Sequence, residues 1–503
     1  MTSKSTHRKD WAKKWLDRKL TGFAGGKFLP PDGENYTPLN PADGTPLAIH
    51  VETTAAQVDI AVLAAHKGFR DPSWRSMTRA RRVESLRAIG AVIREHREEL
   101  ATLETLSNGK TFIEAVDEDL PESADVFDYY SGWIDKLHGE TNPVGDGFLN
   151  YTKREPLGVC ALVVPWNYPL LLACWKIAPA LAMGNTVVVK PAPQTSLSLI
   201  RLAELIQQRG ILPDGVFNVV LGGTLPGEAL TRHNLVNKIS FTGGTSTGRH
   251  ILKASAESNI KPVTLELGGK SPNIIFQDAG NLDEVAERSF VAMFCGKGEK
   301  CSEPTRLIIH EDIHDEVMAR LIKHANAVRC GDPFAAETTQ GAQCFEDHMN
   351  NILRYIELGK KEGGRLIAGG HRDISGTNAN GCFVRPTIFT GVTSKMTIFQ
   401  EEIFGPVLTV TTFKDEAEAV RLANDTPYGL AAGLYTKDID RALRVAGQLD
   451  AGQVFINRYG CYDFAAPFGG FKESGWGKEM AIHSLDSYTR VKSVWIKIDG
   501  LID

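Results

Sequence analysis

The stretch Gly158-Val-Cys-Ala-Leu-Val-Val164 opens a series of alternating strands and helices, and this series decides the fold. Its uninterrupted apolar character predicts a buried strand. The segments after it alternate in type: a helix at Leu170 to Ala182, a strand at Thr186 to Lys190, a helix at Leu197 to Arg209, a strand at Phe217 to Leu221, a helix near Gly227 to Thr231 and a strand at Lys238 to Phe241. This pattern predicts a doubly wound α/β domain with a parallel sheet, which binds ligands at the carboxyl ends of its strands.

The sequence on either side of this series predicts a second α/β domain and a helical scaffold. Before it, Thr54 to Leu137 has the periodicity of amphipathic helices, and residues 1–50 carry the turn signals of an extended arm with strands. After it, a second alternating set predicts strands at Asn273 to Phe276, Leu307 to His310, Leu366 to Ala368, Thr387 to Phe389, Val407 to Phe413, Gly433 to Tyr435 and Gln453 to Ile456.

Two shorter segments are predicted to form exposed strands. Gly145 to Glu155 is alternating and bounded by turns, which predicts a hairpin. The tail from Tyr488 to Ile498 alternates apolar and polar residues like an edge strand. Because an unpaired edge needs a partner, we expect the tail to pair with another subunit.

The composition is that of an ordinary soluble globular protein. Its 503 residues are 42% hydrophobic and 23% charged, which allows two or three domains with their own cores. A net charge of −5 argues against a nucleic-acid partner, and the apolar runs are too interrupted to span a membrane. The eight cysteines lack zinc-ligand spacing, so no metal site is expected. The basic N-terminal segment lacks the apolar region of a secretory signal, so we expect a cytoplasmic protein.

A second stretch, Phe294-Cys-Gly-Lys-Gly-Glu-Lys-Cys-Ser-Glu-Pro-Thr-Arg306, carries the candidate chemistry. Glycines loosen the backbone before Cys301, and a lysine precedes it, so we expect an exposed thiol that ionises more easily than a core cysteine. Glu266 interrupts an apolar strand, where a carboxyl group is costly unless it has a function. A thiol nucleophile and a partly buried carboxyl group are the minimum set for covalent acyl chemistry.

Several motifs in a fixed order carry a resemblance to a known family. They are Glu266-Leu-Gly-Gly-Lys270, Gly298-Glu-Lys-Cys-Ser302, Pro165-Trp-Asn-Tyr-Pro169, Phe241-Thr-Gly-Gly244, Glu401-Glu-Ile-Phe-Gly-Pro406 and Pro467-Phe-Gly-Gly-Phe-Lys-Glu-Ser-Gly475. From about Tyr36 to Lys497 the chain resembles the NAD(P)-dependent aldehyde dehydrogenase superfamily, in particular its broad-specificity and betaine-aldehyde-like members. The resemblance implies a Rossmann-like cofactor domain, an α/β catalytic domain and a small β oligomerisation element.

The resemblance also implies a division of the chain. The cofactor domain comprises residues 1–137 and 157–268, and the catalytic domain comprises residues 269–480. The oligomerisation element comprises residues 138–156 and 486–503. The chain is therefore expected to form a homo-oligomer, either a dimer or a tetramer.

Three residues take catalytic roles by this resemblance. Cys301 attacks an aldehyde carbon, Asn167 and the Cys301 backbone amide hold the oxyanion, and Glu266 activates water to hydrolyse the thioester. From the residues alone, each has a simpler interpretation. By that interpretation, Cys301 is a small, buried, apolar residue of the core. Glu266 forms an ion pair with Lys270, and Asn167 caps the helix near Leu170.

A cofactor site follows from the same resemblance. Amides and the helix end at Thr242-Gly-Gly-Thr-Ser-Thr-Gly248 favour a pyrophosphate, although the spacing also fits a simple strand-to-helix turn. The residues assigned to NAD+ are Lys190, Trp166, Gly243, Gly244, Ser246, Gly248, Glu402 and Phe404. By the simpler interpretation, Lys190 is a solvated strand end and Glu401-Glu402 a surface charge pair.

One position departs from the family pattern. Three residues after Lys190, NAD-preferring members usually carry a glutamate that binds the ribose hydroxyls, and this chain has Pro193. A carboxylate there repels a 2′-phosphate, so its absence weakens discrimination against NADP+. Both NAD+ and NADP+ are therefore candidate cofactors.

The motifs also place a substrate pocket. Its assigned residues, Tyr168, Trp175 and Phe468, predict an apolar, aromatic tunnel for a small-molecule aldehyde, with Cys295 beside the passage. Lys300 and Arg458 are unusual there, and we expect that one of them receives a polar or acidic substrate tail. The alternative is that both are solvated side chains at the rim. Glu479 matches a carboxylate that some members use in proton relay, and the simpler interpretation is ordinary surface.

Three other functions compete with a hydrolytic dehydrogenase. A coenzyme A-acylating semialdehyde dehydrogenase does not need Glu266 as a base. A non-catalytic structural member is expected to lose Cys301 or Glu266, and both are present. A thiol acyltransferase without a redox cofactor does not need the motifs at 242–248 and 401–406.

Overall fold

A computed structural model describes the backbone of residues 2–498 and the side chains from residue 8 onward. The strands are β1 Lys19–Leu20, β2 Phe23–Ala24, β3 Lys27–Phe28, β4 Asn35–Tyr36, β5 Ile49–Val51, β6 Thr141–Asn142, β7 Phe148–Pro156, β8 Val159–Val163, β9 Thr186–Lys190, β10 Phe217–Val219, β11 Val236–Thr242, β12 Val263–Glu266, β13 Pro272–Ile275, β14 Arg306–His310, β15 Arg365–Ala368, β16 Thr387–Thr390, β17 Val407–Phe413, β18 Tyr428–Gly429, β19 Ala431–Tyr435, β20 Gln453–Ile456, β21 Phe471–Lys472, β22 Gly475–Trp476 and β23 Thr489–Lys497. Residues 499–503, which end the predicted oligomerisation element, lie outside the described residues.

The α-helices separate these strands. They are α1 Thr2–Leu16, α2 Ala55–Arg70, α3 Pro72–Arg75, α4 Arg79–Glu95, α5 Arg97–Asn108, α6 Phe112–Glu114, α7 Leu120–Ser131, α8 Pro169–Ala182, α9 Leu197–Gln208, α10 Thr224–Arg232, α11 Thr245–Ala256, α12 Leu282–Phe294, α13 His314–Ala327, α14 Glu346–Lys361, α15 Thr397–Gln400, α16 Glu416–Asn424, α17 Ile439–Ala446 and α18 Ala481–Asp486. A π-helical turn, Ala115–Asp119, joins α6 to α7.

The predicted doubly wound sheet is confirmed. Its strand order is β22-β12-β11-β8-β9-β10-β2-β3, and the strands from β12 to β10 are parallel. The apolar run that opens the series forms β8, which lies at the centre with both faces covered and with buried residues from Val159 to Leu162. Because parallel strands end at the same edge, Thr242 and Glu266 lie side by side at the carboxyl ends of β11 and β12.

The second α/β sheet is confirmed as well. Its order is β15-β16-β17-β14-β13-β19-β20, parallel except for β15. Strand β22, which follows the last strand of the second sheet in sequence, pairs with β12 of the first sheet so that Gly475 lies opposite Glu266. The exact domain boundaries stay a prediction.

A third, small sheet contains the tail. The hairpin β6–β7 forms as expected, and β23 pairs with β7 from Thr489 opposite Pro156 to Lys497 opposite Phe148. The tail therefore has a partner strand within its own chain, which the sequence did not predict. β23 is an edge strand of this sheet, as its pattern indicated, and pairing of its outer edge with another subunit stays a prediction.

The N-terminal segment is the other departure. Residues 2–16 form helix α1, where an extended arm was predicted, and the short strands of the arm begin only at Lys19. Trp11 and Trp15 lie one turn apart and stack, and the Trp15 indole donates to Glu204 at 3.0 Å. Contacts with distant parts of the chain thus stabilise a helix that the local sequence only weakly favours. Within residues 2–498, no helix is long and apolar enough to cross a membrane.

Candidate active site

The loop that carries Cys301 has an unusual backbone. After α12, Gly296, Lys297 and Gly298 all have positive φ angles, of 71°, 66° and 74°. A side chain at Gly298 would place its Cβ 2.2 Å from the Gly405 carbonyl carbon, so only glycine fits. Lys297 is a non-glycine residue in this region, and its buried ammonium group donates to the carbonyls of Asn108 and Ala342. These contacts hold the strained loop in one conformation.

The predicted catalytic and substrate residues meet at one cavity of about 220 Å³. Cys301, Glu266 and Asn167 line it, although they come from three separate segments. The predicted pocket residues line the same cavity: Tyr168, Trp175 and Phe468. The rings of Trp175 and Phe468 meet edge to face with centroids 5.4 Å apart. The structure therefore brings together all six residues that the sequence assigned to chemistry and substrate.

Cys301 is half-buried, and its thiol is harder to ionise than expected. Burial raises its pKa well above the ordinary value, and the carboxyl groups of Glu402 and Glu266 raise it further. The prediction of an easily ionised thiol was wrong because burial opposes the thiolate form. The neighbouring Lys300 ammonium group lies over the Tyr168 ring, 5.8 Å from its centroid.

Glu266 is the last residue of β12 and is 4% exposed. Its Oε2 atom has no hydrogen-bond partner within the described protein, and neither has the Lys270 ammonium group. The alternative of an ion pair between them is therefore wrong. Burial raises the pKa of Glu266 well above its ordinary value, and the charge of Glu479 adds to this shift. A carboxyl group with a raised pKa is a stronger base once it is ionised.

Asn167 is held against the Cys301 loop. Its Nδ2 atom donates to the Glu299 carbonyl at 2.8 Å, and its backbone carbonyl accepts a hydrogen bond from Asn108 Nδ2 at 3.3 Å. The capping alternative is wrong, because Tyr168 is the residue that precedes α8 and it makes no side-chain cap bond. The amide is therefore free of the helix end and turned towards the loop that carries the nucleophile.

Glu479 is not ordinary surface. It is buried, its Oε1 atom lies 2.5 Å from the Lys176 ammonium group, and it accepts from the Ser240 hydroxyl at 3.2 Å. Glu479 also lines the cavity with Glu266. The sequence did contain a signal for this pair, because Lys176 interrupts the most apolar helix of the chain and needs a buried carboxylate as partner.

The predicted pyrophosphate segment lies at the N-terminus of α11. This helix begins at Thr245, so Ser246 and Gly248 belong to its first turn. Gly243 donates to the Glu266 carbonyl at 3.0 Å, which places the segment beside the catalytic strand. Gly244 precedes the helix without a side-chain cap, and a Cβ there would meet nothing within 4 Å. Free backbone N–H groups at an open helix end suit an anionic ligand.

Lys190 ends β9 and is buried, so the solvated alternative is wrong. Burial lowers its pKa to about 8, which the charge of Glu52 partly opposes. Glu52 accepts a hydrogen bond from the Gly223 backbone at 2.7 Å. Pro193 begins a single 3₁₀ turn and supplies no carboxylate. Glu52 is thus a carboxylate near Lys190 that sequence spacing did not reveal.

The Glu402 carboxyl group contacts the Glu266-Leu-Gly-Gly-Lys270 motif, and the Phe404 ring contacts the Pro165-Trp-Asn-Tyr-Pro169 motif. Glu402 accepts from the Gly269 backbone at 2.9 Å, and burial raises its pKa to about 7. Phe404 has a φ of +57°, and its ring meets Trp166 edge to face at 5.2 Å. The alternative of a surface charge pair at Glu401-Glu402 holds only for Glu401. This residue is exposed, and it accepts a hydrogen bond from the Tyr355 hydroxyl at 2.6 Å.

Sequence comparison decides the family of this site. The model described as "Aldehyde dehydrogenase family" matches residues 28–494, which include every residue of the cavity. The chain belongs to the aldehyde dehydrogenase family. This aldehyde dehydrogenase therefore oxidises aldehydes to carboxylic acids.

Named relatives and solved structures agree with this family. An aldehyde dehydrogenase of Aspergillus niger is 44% identical over 484 residues, which is 96% of each chain. One from Emericella nidulans is 43% identical over 468 residues, 93% of each chain. The NAD+ complex of the Bacillus cereus aldehyde dehydrogenase has a TM-score of 0.94 at 42% identity and 99% coverage of both chains. The P. syringae indole-3-acetaldehyde dehydrogenase, solved with NAD+ and IAA, has a TM-score of 0.94 at 40% identity, covering 98% of this chain and 99% of its own.

The two cations near the cavity occupy different places in this aldehyde dehydrogenase. Lys300 lines the catalytic cavity, whereas exposed Arg458 lines only an adjoining outer cavity of about 670 Å³. Cys295 also lines the outer cavity, and burial raises its pKa to about 11. The catalytic cavity contains a feature that the sequence interpretation missed, the carboxyl groups of Glu118 and Glu122. Among the described residues, no group of His, Cys, Asp or Glu side chains could hold a metal ion.

Proposed function

We propose that this aldehyde dehydrogenase is a hydrolytic, NAD+-dependent enzyme with Cys301 as nucleophile, Asn167 as oxyanion donor and Glu266 as base. The observation that carries the proposal is the position of these three side chains on one small cavity. A coenzyme A-acylating function is less well supported, because a buried Glu266 with a raised pKa fits the activation of water.

The covalent steps follow from these positions. The Cys301 thiol passes its proton to Glu266, which releases it to solvent, and the Sγ atom bonds to the aldehyde carbon to give a thiohemiacetal. Bound NAD+ would supply the hydride acceptor, so that loss of hydride from this carbon leaves a thioester on Cys301. Glu266 then takes a proton from water, the water oxygen bonds to the acyl carbon, and the carbon–sulfur bond breaks. The products are the carboxylic acid and the free Cys301 thiolate.

The oxyanion of the first step needs donors on the protein. Asn167 is held beside the Cys301 loop by its bond to the Glu299 carbonyl, and the Cys301 backbone N–H is the second donor. Donors that are fixed before the reaction stabilise the developing charge without reorganisation. The strained but well-bonded loop backbone provides this fixed geometry.

The residues assigned to the cofactor fit a dinucleotide. The uncapped first turn of α11 suits the pyrophosphate, and the buried Thr245 hydroxyl there has no partner within the described protein. Lys190 would bind a ribose, while Glu402 and Phe404 would bind the nicotinamide half. Their contacts with Gly269 and Trp166 support this assignment, because these two partners belong to the segments that carry Glu266 and Asn167.

The choice between NAD+ and NADP+ depends on the carboxylates near Lys190. Pro193 contributes none, which is the observation that favours NADP+ as a second candidate. Glu52 nevertheless carries a negative charge that acts on Lys190. We propose that this charge opposes a 2′-phosphate, so that NAD+ is preferred.

The small sheet supports assembly into a homo-oligomer, and its strands fall within the oligomerisation element predicted at 138–156 and 486–503. Phe148, Tyr151, Val491 and Trp495 are large, apolar and exposed on β7 and β23. Exposed apolar clusters of this kind mark interaction surfaces, so we propose that a second copy covers them. The eight free cysteines, five of them at least partly accessible, support a cytoplasmic location.

Steady-state kinetics test the proposed function. Purified protein is assayed for aldehyde oxidation with NAD+ or NADP+ and without coenzyme A, beside the Cys301→Ser variant. Turnover to the carboxylic acid that is lost in Cys301→Ser supports the proposal. Turnover that requires coenzyme A would instead support the acylating function, and turnover retained in Cys301→Ser would exclude Cys301 as the nucleophile.

A further inference from the structure

One wall of the catalytic cavity is acidic, and its backbone is unusual. The π-helical turn Ala115–Asp119 interrupts the helical segment between α6 and α7. Glu118 lies in this turn, Glu122 lies four residues later in α7, and both line the cavity that contains Cys301. Residues four apart share a helix face, and π-turns frequently occur at functional sites. The turn therefore presents two carboxyl groups to the substrate.

Other carboxyl groups of the cavity already have cationic partners. Asp119 forms a buried ion pair with Lys110, and Glu479 forms one with Lys176. Glu118 and Glu122 form no ion pair with a lysine, arginine or histidine of residues 8–498. They are the acidic groups of this wall that are left for a ligand, apart from the catalytic Glu266.

Lys300 only partly balances these two carboxyl groups. Burial and neighbouring carboxyl groups raise the pKa of Glu118 and raise that of Glu122 to about 7, and the Lys300 charge opposes both shifts only in part. Burial also raises the pKa of Glu303 well above its ordinary value, although the Lys300 charge opposes that shift. Two carboxyl groups therefore face one ammonium group, and a second cation would complete the balance.

The remaining walls also suit a polar, cationic ligand. Tyr168, Trp175 and Tyr462 present aromatic rings, whose faces attract ammonium groups. Two buried polar atoms of the same cavity, Trp175 Nε1 and Asn167 Oδ1, have no hydrogen-bond partner in the described protein. Unpartnered buried polar atoms indicate that a ligand with polar groups completes this cavity.

We propose that the cavity selects small aldehydes that carry a protonated amine at the end remote from the carbonyl, with Glu118 and Glu122 binding the ammonium group. This inference rests on the proposed function, because Cys301 defines the end at which the aldehyde reacts. It replaces the expectation of an acidic tail. A carboxylate beside Lys300 would also meet Glu118 and Glu122, and Arg458 lies outside the catalytic cavity.

Matched substrates test the proposal. The wild type is assayed with β-aminopropanal, butanal and malonic semialdehyde, which are similar in length and differ in the charge of the remote end. We expect the highest kcat/KM for β-aminopropanal. In Glu118→Gln and Glu122→Gln, the ratio of kcat/KM for β-aminopropanal to that for butanal should fall about tenfold each, since a bond to a charged group contributes about 1.5 kcal/mol.

A control variant and a binding measurement separate the possible results. Glu287→Gln changes a carboxyl group that lines only the outer cavity, and it should keep the wild-type ratio. Calorimetry with Cys301→Ala measures β-aminopropanal binding without reaction, and the added Glu118→Gln and Glu122→Gln changes should weaken it. The calorimetric measurement does not depend on turnover. If the wild type turned over no aldehyde, that result would refute the proposed function, and the binding measurement would still test the role of Glu118 and Glu122.

Three results would overturn the inference. The first is a wild type that oxidises butanal as efficiently as β-aminopropanal. The second is a preference for the amine that survives in the combined Glu118→Gln and Glu122→Gln variant. The third is a preference for malonic semialdehyde that disappears in Lys300→Ala, which would establish the acidic-tail alternative.

Discussion

Replacing Glu266 by glutamine tests the electrostatics of the cavity most directly. The carboxyl group is 4% exposed, and one of its oxygens has no partner in the described protein. Burial raises its pKa well above 4.5, Glu479 raises it further, and Lys176 and Lys478 lower it. Glutamine has nearly the same shape and no charge, so the variant isolates the cost of ionising this position.

The sign of the effect follows from the raised pKa. The wild type has its full stability below the unfolded-state pKa, near 4.5, and loses stability as the pH rises through the raised native value. Each pKa unit of difference corresponds to about 1.4 kcal/mol, so the variant gains stability relative to the wild type between acidic and alkaline pH. The glutamine amide adds a cost of its own, but that cost does not change with pH.

Thermal unfolding between about pH 5 and pH 9 measures this gain. We expect the melting temperature of Glu266→Gln to rise relative to the wild type as the pH increases. Exposed Glu337→Gln serves as the control and should track the wild type. In rapid-mixing kinetics, Glu266→Gln should release NADH in a slow burst without continued turnover. A stability difference that is independent of pH, or sustained hydrolysis by the variant, would refute the reasoning.

Three further changes probe the neighbouring groups. Asn167→Ala should lower kcat by about 10²–10³ in steady-state assays, since it removes one oxyanion donor, and an unchanged kcat would contradict that role. Glu52→Gln should tighten NADP+ binding relative to NAD+ by about fivefold in calorimetry, because it removes about 1 kcal/mol of charge repulsion; an unaltered ratio would exclude Glu52 as a selector. Lys176→Met should lower the free energy of unfolding by about 3–5 kcal/mol in urea titrations, because it leaves Glu479 buried without a cation. Adding Glu479→Leu should restore most of that loss, and a failure to do so would show that the ion pair is not the cause.

Much of the fold could be predicted because the informative signals are local. The strand Thr186–Lys190 and the helix Leu197–Gln208 are bounded by glycine, proline and serine, and their apolar patterns fix the element type. Helix α1 was missed because its tryptophans pack against residues almost two hundred positions away. The helix propensity of residues 2–16 does not reflect those contacts.

The electrostatics of the site could not be predicted for a similar reason. Lys300 is next to Cys301 in sequence, but its ammonium group lies over an aromatic ring instead of beside the thiol. Lys176 and Glu479 form one ion pair although 303 residues separate them. The sequence analysis did not single out Glu118, which lies in the π-helical turn and lines the cavity.

The buried charges of this enzyme have a common consequence for its chemistry. Lys110 with Asp119, Lys176 with Glu479, and Lys297 with Glu299 form ion pairs that are largely removed from water. Buried pairs add little net stability, because desolvation offsets most of the attraction. They do neutralise one another, and this leaves the catalytic cavity with a few carboxyl groups that have no cationic partner of their own. The base Glu266 and the acidic wall thus share one property: Glu266, Glu118 and Glu122 form no ion pair within residues 8–498, so these carboxyl groups are available to water and to the substrate.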